Sequence, residues 1–294
     1  MTSAPPAGVT LEDLSDPAAP PGPHDWNSHG VRFLPGFMPD RLIDAYEEEW
    51  AEANGLQGIE WLPEHTTVDG VGLGRIAARN VGGYYETAYM RYPAMMAMCT
   101  HRPLAIALEQ LMGEPAGVHL NLSGWVSTKR DFHQDGYLNP AHVGDFYAAV
   151  WIALGDIHPD SGPFQYVPGS HMWHTLTQEK VLRYVDGSNP EWPAHTETIL
   201  TPLVLAEIKR REAEVVTYLP KRGDVLIWHP RLYHRGTVPN LPGAYRPALI
   251  AHYSGRNHRM DMPAAVQHPE HGGWYFPIQQ QSDLSHAAQM KRGE

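Results

Sequence analysis

The chain holds 294 residues, 42% hydrophobic and 19% charged, which fits a soluble globular protein with one large domain or two small ones. Its 33 acidic residues outnumber 22 basic ones, for a formal charge of −11, and no basic stripe argues for a nucleic-acid partner. There is no apolar run of membrane-spanning length and no charged-then-apolar leader, so neither a membrane span nor a secretion signal is expected.

Residues 1 to about 28 carry Pro5, Pro6, Pro17, Pro20, Pro21 and Pro23 among small residues and read as a flexible tail. Gly30-Val31-Arg32-Phe33-Leu34 reads as a short strand ended by Pro35-Gly36. Asp40 reads as a helix N-cap, and Leu42, Tyr46, Trp50 and Ala53 recur at helical spacing up to Gly55. Two short helices are expected between 92 and 112, the second opened by Arg102-Pro103 and closed by Gly113. Cys99, the only cysteine, excludes an intramolecular disulfide. It lies in the apolar run Ala94-Met95-Met96-Ala97-Met98-Cys99, where an inert buried thiol is expected. Lack of disulfides fits a reducing, cytoplasmic compartment.

After residue 115 the texture changes to short β-type runs: 118–122, 146–154, 164–167, 215–218, 224–228 and 246–253. Turn residues separate them, among them Pro168-Gly169-Ser170 and Lys221-Arg222-Gly223-Asp224. The pattern predicts a mainly β sandwich or jelly roll with an N-terminal helical layer. The polar stretch from about 172 to 213 reads as an insertion, a common source of lids.

His133-Gln134-Asp135 places an imidazole and a carboxylate two residues apart, on one face of a strand if the strand runs that far. A third histidine a hundred residues later, His234, would complete a 2-His-1-carboxylate set with open coordination positions, which suits non-haem Fe(II). His229 lies close by, and only one of the two is needed. With 18 histidines in the chain, the triplet alone is weak. Asp131 shares the alternation and reads as a supporting residue or a solvated carboxylate. Trp151 sits in a strand apolar on both faces, beside a cofactor or simply in the core. Arg246 opens the next strand; its fork would suit a carboxylate, though spacing alone favours a surface ion pair.

Taken together, these segments resemble the phytanoyl-CoA dioxygenase family of Fe(II)/2-oxoglutarate-dependent oxygenases over roughly residues 28 to 258. The resemblance rests on Leu34-Pro35-Gly36-Phe37, His133-Gln134-Asp135-Gly136, the Trp151 strand, Ser161 through His171, and Gly223-Asp224 through His234 to Arg246. It implies a double-stranded β-helix over 29–258, with a lid at about 172–213 and a C-terminal extension at 259–294. It implies iron held by His133, Asp135 and His234, with His229 as a non-ligand neighbour and His171 structural. Arg246 would clamp 2-oxoglutarate, Trp151 would lie beside it, and Thr237 would offer a hydroxyl where relatives carry a serine one position earlier. His252 is expected as a satisfied buried histidine.

The activity implied is O2-dependent hydroxylation of an unactivated C–H bond of a small molecule, with release of succinate and CO2. Related iron halogenases lack the carboxylate, and Asp135 is present. Desaturation, ring formation or epimerisation on the same centre is the alternative. A non-catalytic metal-binding barrel is disfavoured by the joint presence of His133, Asp135 and Arg246, and a zinc hydrolase by the lack of a companion base. Trp61, Tyr84, Tyr85, Tyr137, Trp173 and Trp192 would suit either a substrate pocket or structural packing.

Overall fold

The computed structural model describes residues 8–16, 26–53, 81–82, 88–127, 130–184, 197–241 and 244–278. The strands, in chain order, are β1 (Ser15–Asp16), β2 (Val31–Leu34), β3 (Val81–Gly82), β4 (Ala116–Val126), β5 (Arg130–His133), β6 (Tyr147–Ala153) and β7 (Phe164–Tyr166). They continue with β8 (Thr175–Leu176), β9 (Val216–Tyr218), β10 (Val225–Trp228), β11 (His234–Gly236), β12 (Tyr245–Gly255), β13 (Val266–Gln267) and β14 (Trp274–Tyr275). The helices are α1 (Asp40–Ala53), α2 (Ala88–Arg91), α3 (Pro93–Cys99), α4 (Arg102–Met112), α5 (Gln178–Val181) and α6 (Glu197–Arg210).

Two sheets make the barrel. The larger runs β13-β14-β4-β12-β6-β10-β2, with β3 also on β4; the smaller runs β5-β11-β7-β9. Strand β6 shows why a doubly apolar segment belongs at the centre. Ala148, Val150 and Ile152 join the cluster under the helices, whereas Tyr147, Ala149, Trp151 and Ala153 face the opposite sheet. Strand β10 divides likewise, Val225 and Ile227 outward, Leu226 and Trp228 inward.

The helical layer follows the sequence reading with one change. The buried stripe of α1 is Ile43, Tyr46 and Trp50, while Leu42 is only partly covered. Trp50 packs on Trp125 at a 5.0 Å centroid distance. Arg222, in the turn before β10, pins the polar side of α1 through Asp40, Asp44 and Glu47. Cys99 is buried, and burial pushes its thiol up to about 12.

The two ends of the chain depart from expectation. Within the stretch read as a tail, Leu11 and Leu14 are buried and β1 pairs with β8. Leu11 and Leu14 share a cluster with Phe132, Tyr233 and the apolar residues of α6, and leucines buried this way each contribute roughly 1.5–3 kcal/mol. Between residues 259 and 278 the chain stays against the larger sheet: β14 adds to β4 in parallel, and Phe276 is fully buried. Proline content signalled loop, but the interspersed leucines and aromatics decide docking.

Candidate metal centre

The smaller sheet builds the site by alternation. Phe132 in β5 and Tyr233 just before β11 point outward into the cluster under α6, which turns His133 and His234 inward. His133 and His234 are direct partners across the antiparallel pair, with ring centroids 4.3 Å apart. Asp135 does not extend the strand, as the period-two argument assumed. It has turned into αR geometry ahead of a 3-10 turn at Gly136–Leu138. Its backbone N–H donates to the Pro230 carbonyl, and Asn139 donates to its own carbonyl.

The result is convergence. One donor atom from each of His133, Asp135 and His234 lies within 4.8 Å of the others, and all three residues are buried. The Asp135 oxygens stand 3.5 Å from His133 Nε2 and 3.6 Å from His234 Nε2. Each imidazole donates its Nδ1 proton to a main-chain carbonyl, His133 to Asp131 at 2.7 Å and His234 to Leu232 at 3.0 Å. A carbonyl can only accept, so both tautomers are fixed and both Nε2 lone pairs face the carboxylate. Asp131 thus supports the site through its backbone; its carboxylate faces Arg235 at 3.7 Å.

Electrostatics suit a cation. Burial raises the Asp135 carboxyl, but the nearby His234 and His133 outweigh burial and hold it well below the usual carboxylate range. Burial, then repulsion from Arg130 and His234, pushes His133 down to about 3, and burial lowers His234. The trio is therefore one anion and two neutral imidazoles at neutral pH, a donor set that fits a divalent metal ion.

Sequence reasoning did not single out Trp228 as a partner of Asp135. Its indole N–H donates to Asp135 Oδ2 at 3.0 Å, and its ring packs on Phe164 and His234. Alternation along β10 could have shown that it faces inward. Trp228→Phe keeps the packing and removes the hydrogen bond. It is expected to weaken metal binding about tenfold or more in a folded protein, as read by chelator competition. Unchanged affinity would mean the indole does not orient Asp135.

Arg246 is not the surface ion pair that spacing favoured. It is only 6% exposed, its Nε has no partner, and burial pushes it down to about 10. Its guanidinium lies over the Trp151 ring at 4.7 Å, and the indole nitrogen of Trp151 is likewise buried and unpartnered. Trp151 meets Phe164, which stacks on His234, so aromatic rings connect this cation to the metal trio. An unpaired buried guanidinium is costly, and an anionic group seated against it offsets that cost.

Thr237 is used otherwise than expected. Its hydroxyl donates to the Pro163 carbonyl at 2.9 Å, so its proton is not free for a cosubstrate. His229 is buried beside Trp26 and His171, outside the trio. His171 fills the space beside Gly30, where a Cβ would lie 2.6 Å from its ring and φ is +73°. Tyr137 and Trp173 pack with the cluster under α6, Trp173 beneath the Arg211 guanidinium. Trp61, Tyr84, Tyr85 and Trp192 lie outside the described residues.

Burial lowers His119, His133, His229, His234 and His252, the last to about 4. Unfolded, each would titrate near 6.5. Folded values below unfolded ones give stability that is complete above about pH 6.5 and is lost as pH falls through about 4 towards 3. The thermal midpoint of the metal-free protein is expected to drop across that window; a flat profile would contradict neutral buried imidazoles.

Among the described residues, no helix is long and apolar enough to cross a membrane. Residues 105–248 match the family described as Phytanoyl-CoA dioxygenase (PhyH). A probable phytanoyl-CoA dioxygenase of Caenorhabditis elegans is 24% identical over 173 residues, covering 55% of this chain and 51% of that protein. The match thus spans about half the length of that relative.

Three solved structures are similar in fold. One is the non-heme alpha ketoglutarate dependent carbocyclase SnoK from nogalamycin biosynthesis (TM-score 0.54, 18% identity, covering 84% of this chain and 87% of that one). Another is EctD from S. alaskensis with 2-oxoglutarate and 5-hydroxyectoine (0.53, 16%, 87% and 84%). The third is the non-heme monooxygenase ThoJ as a nickel complex (0.53, 15%, 92% and 96%). The two-sheet barrel is the cupin-type jelly roll of these enzymes, the double-stranded β-helix expected from the sequence. Residues 105–248 of this chain accordingly form a domain of the phytanoyl-CoA dioxygenase family.

Proposed function

We propose that the protein is a non-haem Fe(II)/2-oxoglutarate-dependent dioxygenase that hydroxylates an unactivated C–H bond of a small molecule. The observation that carries this reading is the pairing of a buried His133–Asp135–His234 trio with a buried Arg246 that has no carboxylate partner among the described residues, in one barrel. The trio would hold iron, and Arg246 would hold the far carboxylate of the cosubstrate. When bound, iron and 2-oxoglutarate supply the oxidising power: O2 is consumed, one oxygen enters the substrate, and the cosubstrate leaves as succinate and CO2.

The chain's own part is positional. The Asp131 and Leu232 carbonyls hold both imidazoles by their Nδ1 protons, and Trp228 holds one carboxylate oxygen. The aromatic wall of Trp151, Phe164 and Trp228 keeps water from the space between cation and trio, which strengthens every charge interaction there.

SnoK and ThoJ, alike in fold, are described as a carbocyclase and a monooxygenase, so the fold does not choose the reaction. The test is anaerobic addition of Fe(II) and 2-oxoglutarate to the purified protein, followed by a substrate screen. A weak visible charge-transfer band, absent in His234→Ala, and a product gaining one oxygen atom are expected. A product that loses two hydrogens would favour desaturation or ring closure, and no band in a folded, metal-loaded protein would overturn the reading.

A further inference from the structure

Residues of the larger sheet that face the metal trio lie in cross-strand rows. In the row level with Asp135, Trp228 pairs with Ala149, Ala149 pairs with His252, and His252 pairs with Leu120. Trp228 is fixed to Asp135. His252 stands across from it with only an alanine methyl between, ring centroids 6.4 Å apart. Asp135 and His234 both act on the proton affinity of His252, which places the ring within electrostatic reach of the trio. It is nevertheless not among the residues whose donor atoms converge there.

His252 is only 7% exposed, and its Nδ1 is bonded to the Tyr147 hydroxyl. With the phenol donating, the ring's own proton sits on Nε2. No hydrogen-bond partner of Nε2 occurs among the described residues. A histidine kept for packing alone would be replaceable by an apolar residue without penalty. A ring held in one tautomer by a buried phenol, with its second nitrogen carrying no protein partner among the described residues, is the kind of group a site keeps for a ligand. Arg246 lies six residues away on β12, near the row of Ala153 and Ala248, so the guanidinium and this donor stand at different levels of the same strand.

We propose that His252 is a substrate-binding residue, that its Nε2–H donates to an oxygen acceptor on the substrate, and that Tyr147 is the positioning residue that fixes its tautomer. The inference rests on the iron/2-oxoglutarate reading and adds a substrate class: small molecules with a carbonyl, carboxylate or ether oxygen a short distance from the oxidised carbon.

The test uses the full chain loaded with Fe(II) and 2-oxoglutarate, as wild type, His252→Leu, His252→Asn, Tyr147→Phe and the His252→Leu/Tyr147→Phe double variant. The probes are a panel of ketones, carboxylic acids and cyclic ethers, each matched with its hydrocarbon counterpart. The charge-transfer band reports loading, probe-triggered succinate release gives KM and kcat, and thermal midpoint reports folding. All variants are expected to keep the band.

Only acceptor-bearing probes should trigger release. His252→Leu should raise KM about tenfold, the worth of one ordinary hydrogen bond, and His252→Asn should recover part of it through its amide donor. Tyr147→Phe should give a smaller rise. The double variant removes both partners at once, so its midpoint should match wild type. The proposal is overturned by unchanged KM in His252→Leu, by equal triggering from hydrocarbons, or by a loaded wild type that no acceptor-bearing probe triggers. Absence of the band in wild type would remove the iron/2-oxoglutarate reading and this inference with it.

Discussion

An Asp135→Ala variant is expected to lose Fe(II) binding by more than the roughly 10–100-fold that residues supporting a metal site carry, and with it all turnover. Asp135 is the only anion of the trio; without it two neutral imidazoles face a dication. The fold should survive, because Phe132 and Tyr233 still anchor both strands outside the site. Removal also strands the Trp228 indole donor, at a cost of about 1–3 kcal/mol in the metal-free protein. Equilibrium dialysis of Fe(II) under nitrogen, with circular dichroism as the folding control, measures both effects. Wild-type turnover in this variant would mean that the metal, if any, is held elsewhere.

Arg246→Leu carries the second large expectation, and its sign differs between two measurements. The half-saturating 2-oxoglutarate concentration should rise at least about 30-fold, since losing one partner of a buried charge pair costs about 2–5 kcal/mol. Metal affinity should stay near wild type. Without cosubstrate, the variant should be as stable as wild type or more so, because an unpaired buried guanidinium is replaced by an apolar side chain. A purely structural arginine would show the reverse, lower stability with unchanged cosubstrate dependence. Arg246→Lys should recover only part of the affinity, since an ammonium lacks the planar fork.

The sequence made the barrel legible where period-two patterning and turn residues coincided. The doubly apolar run 147–153 is the central strand β6, and the Lys221–Asp224 turn leads into β10 as read. His133, Asp135 and His234 were legible as residue types in a pattern, but the reason they meet was not. Asp135 reaches the trio by a turn tied to Pro230, and that contact joins segments almost a hundred residues apart. Burial of Arg246 also depends on the sheets closing over it, which no local spacing encodes. The Thr237 hydroxyl, expected to face a cosubstrate, donates to the Pro163 carbonyl, a contact set by how the two segments lie side by side and not by local spacing. The roles of Trp228 and His252 depend on cross-strand rows, which follow from register and not from composition.

His133 and His234 already face each other across hydrogen-bonded strands, their tautomers set by main-chain carbonyls. Folding itself bears the cost of gathering the donors, so a metal ion arrives at a finished seat. Such a seat has little power to refuse. Two imidazoles and a carboxylate bind first-row dications in the general order that places nickel, copper and zinc above iron(II). Which ion the protein carries is then a question of supply, and preparations from different growth media should differ in metal content while sharing one fold.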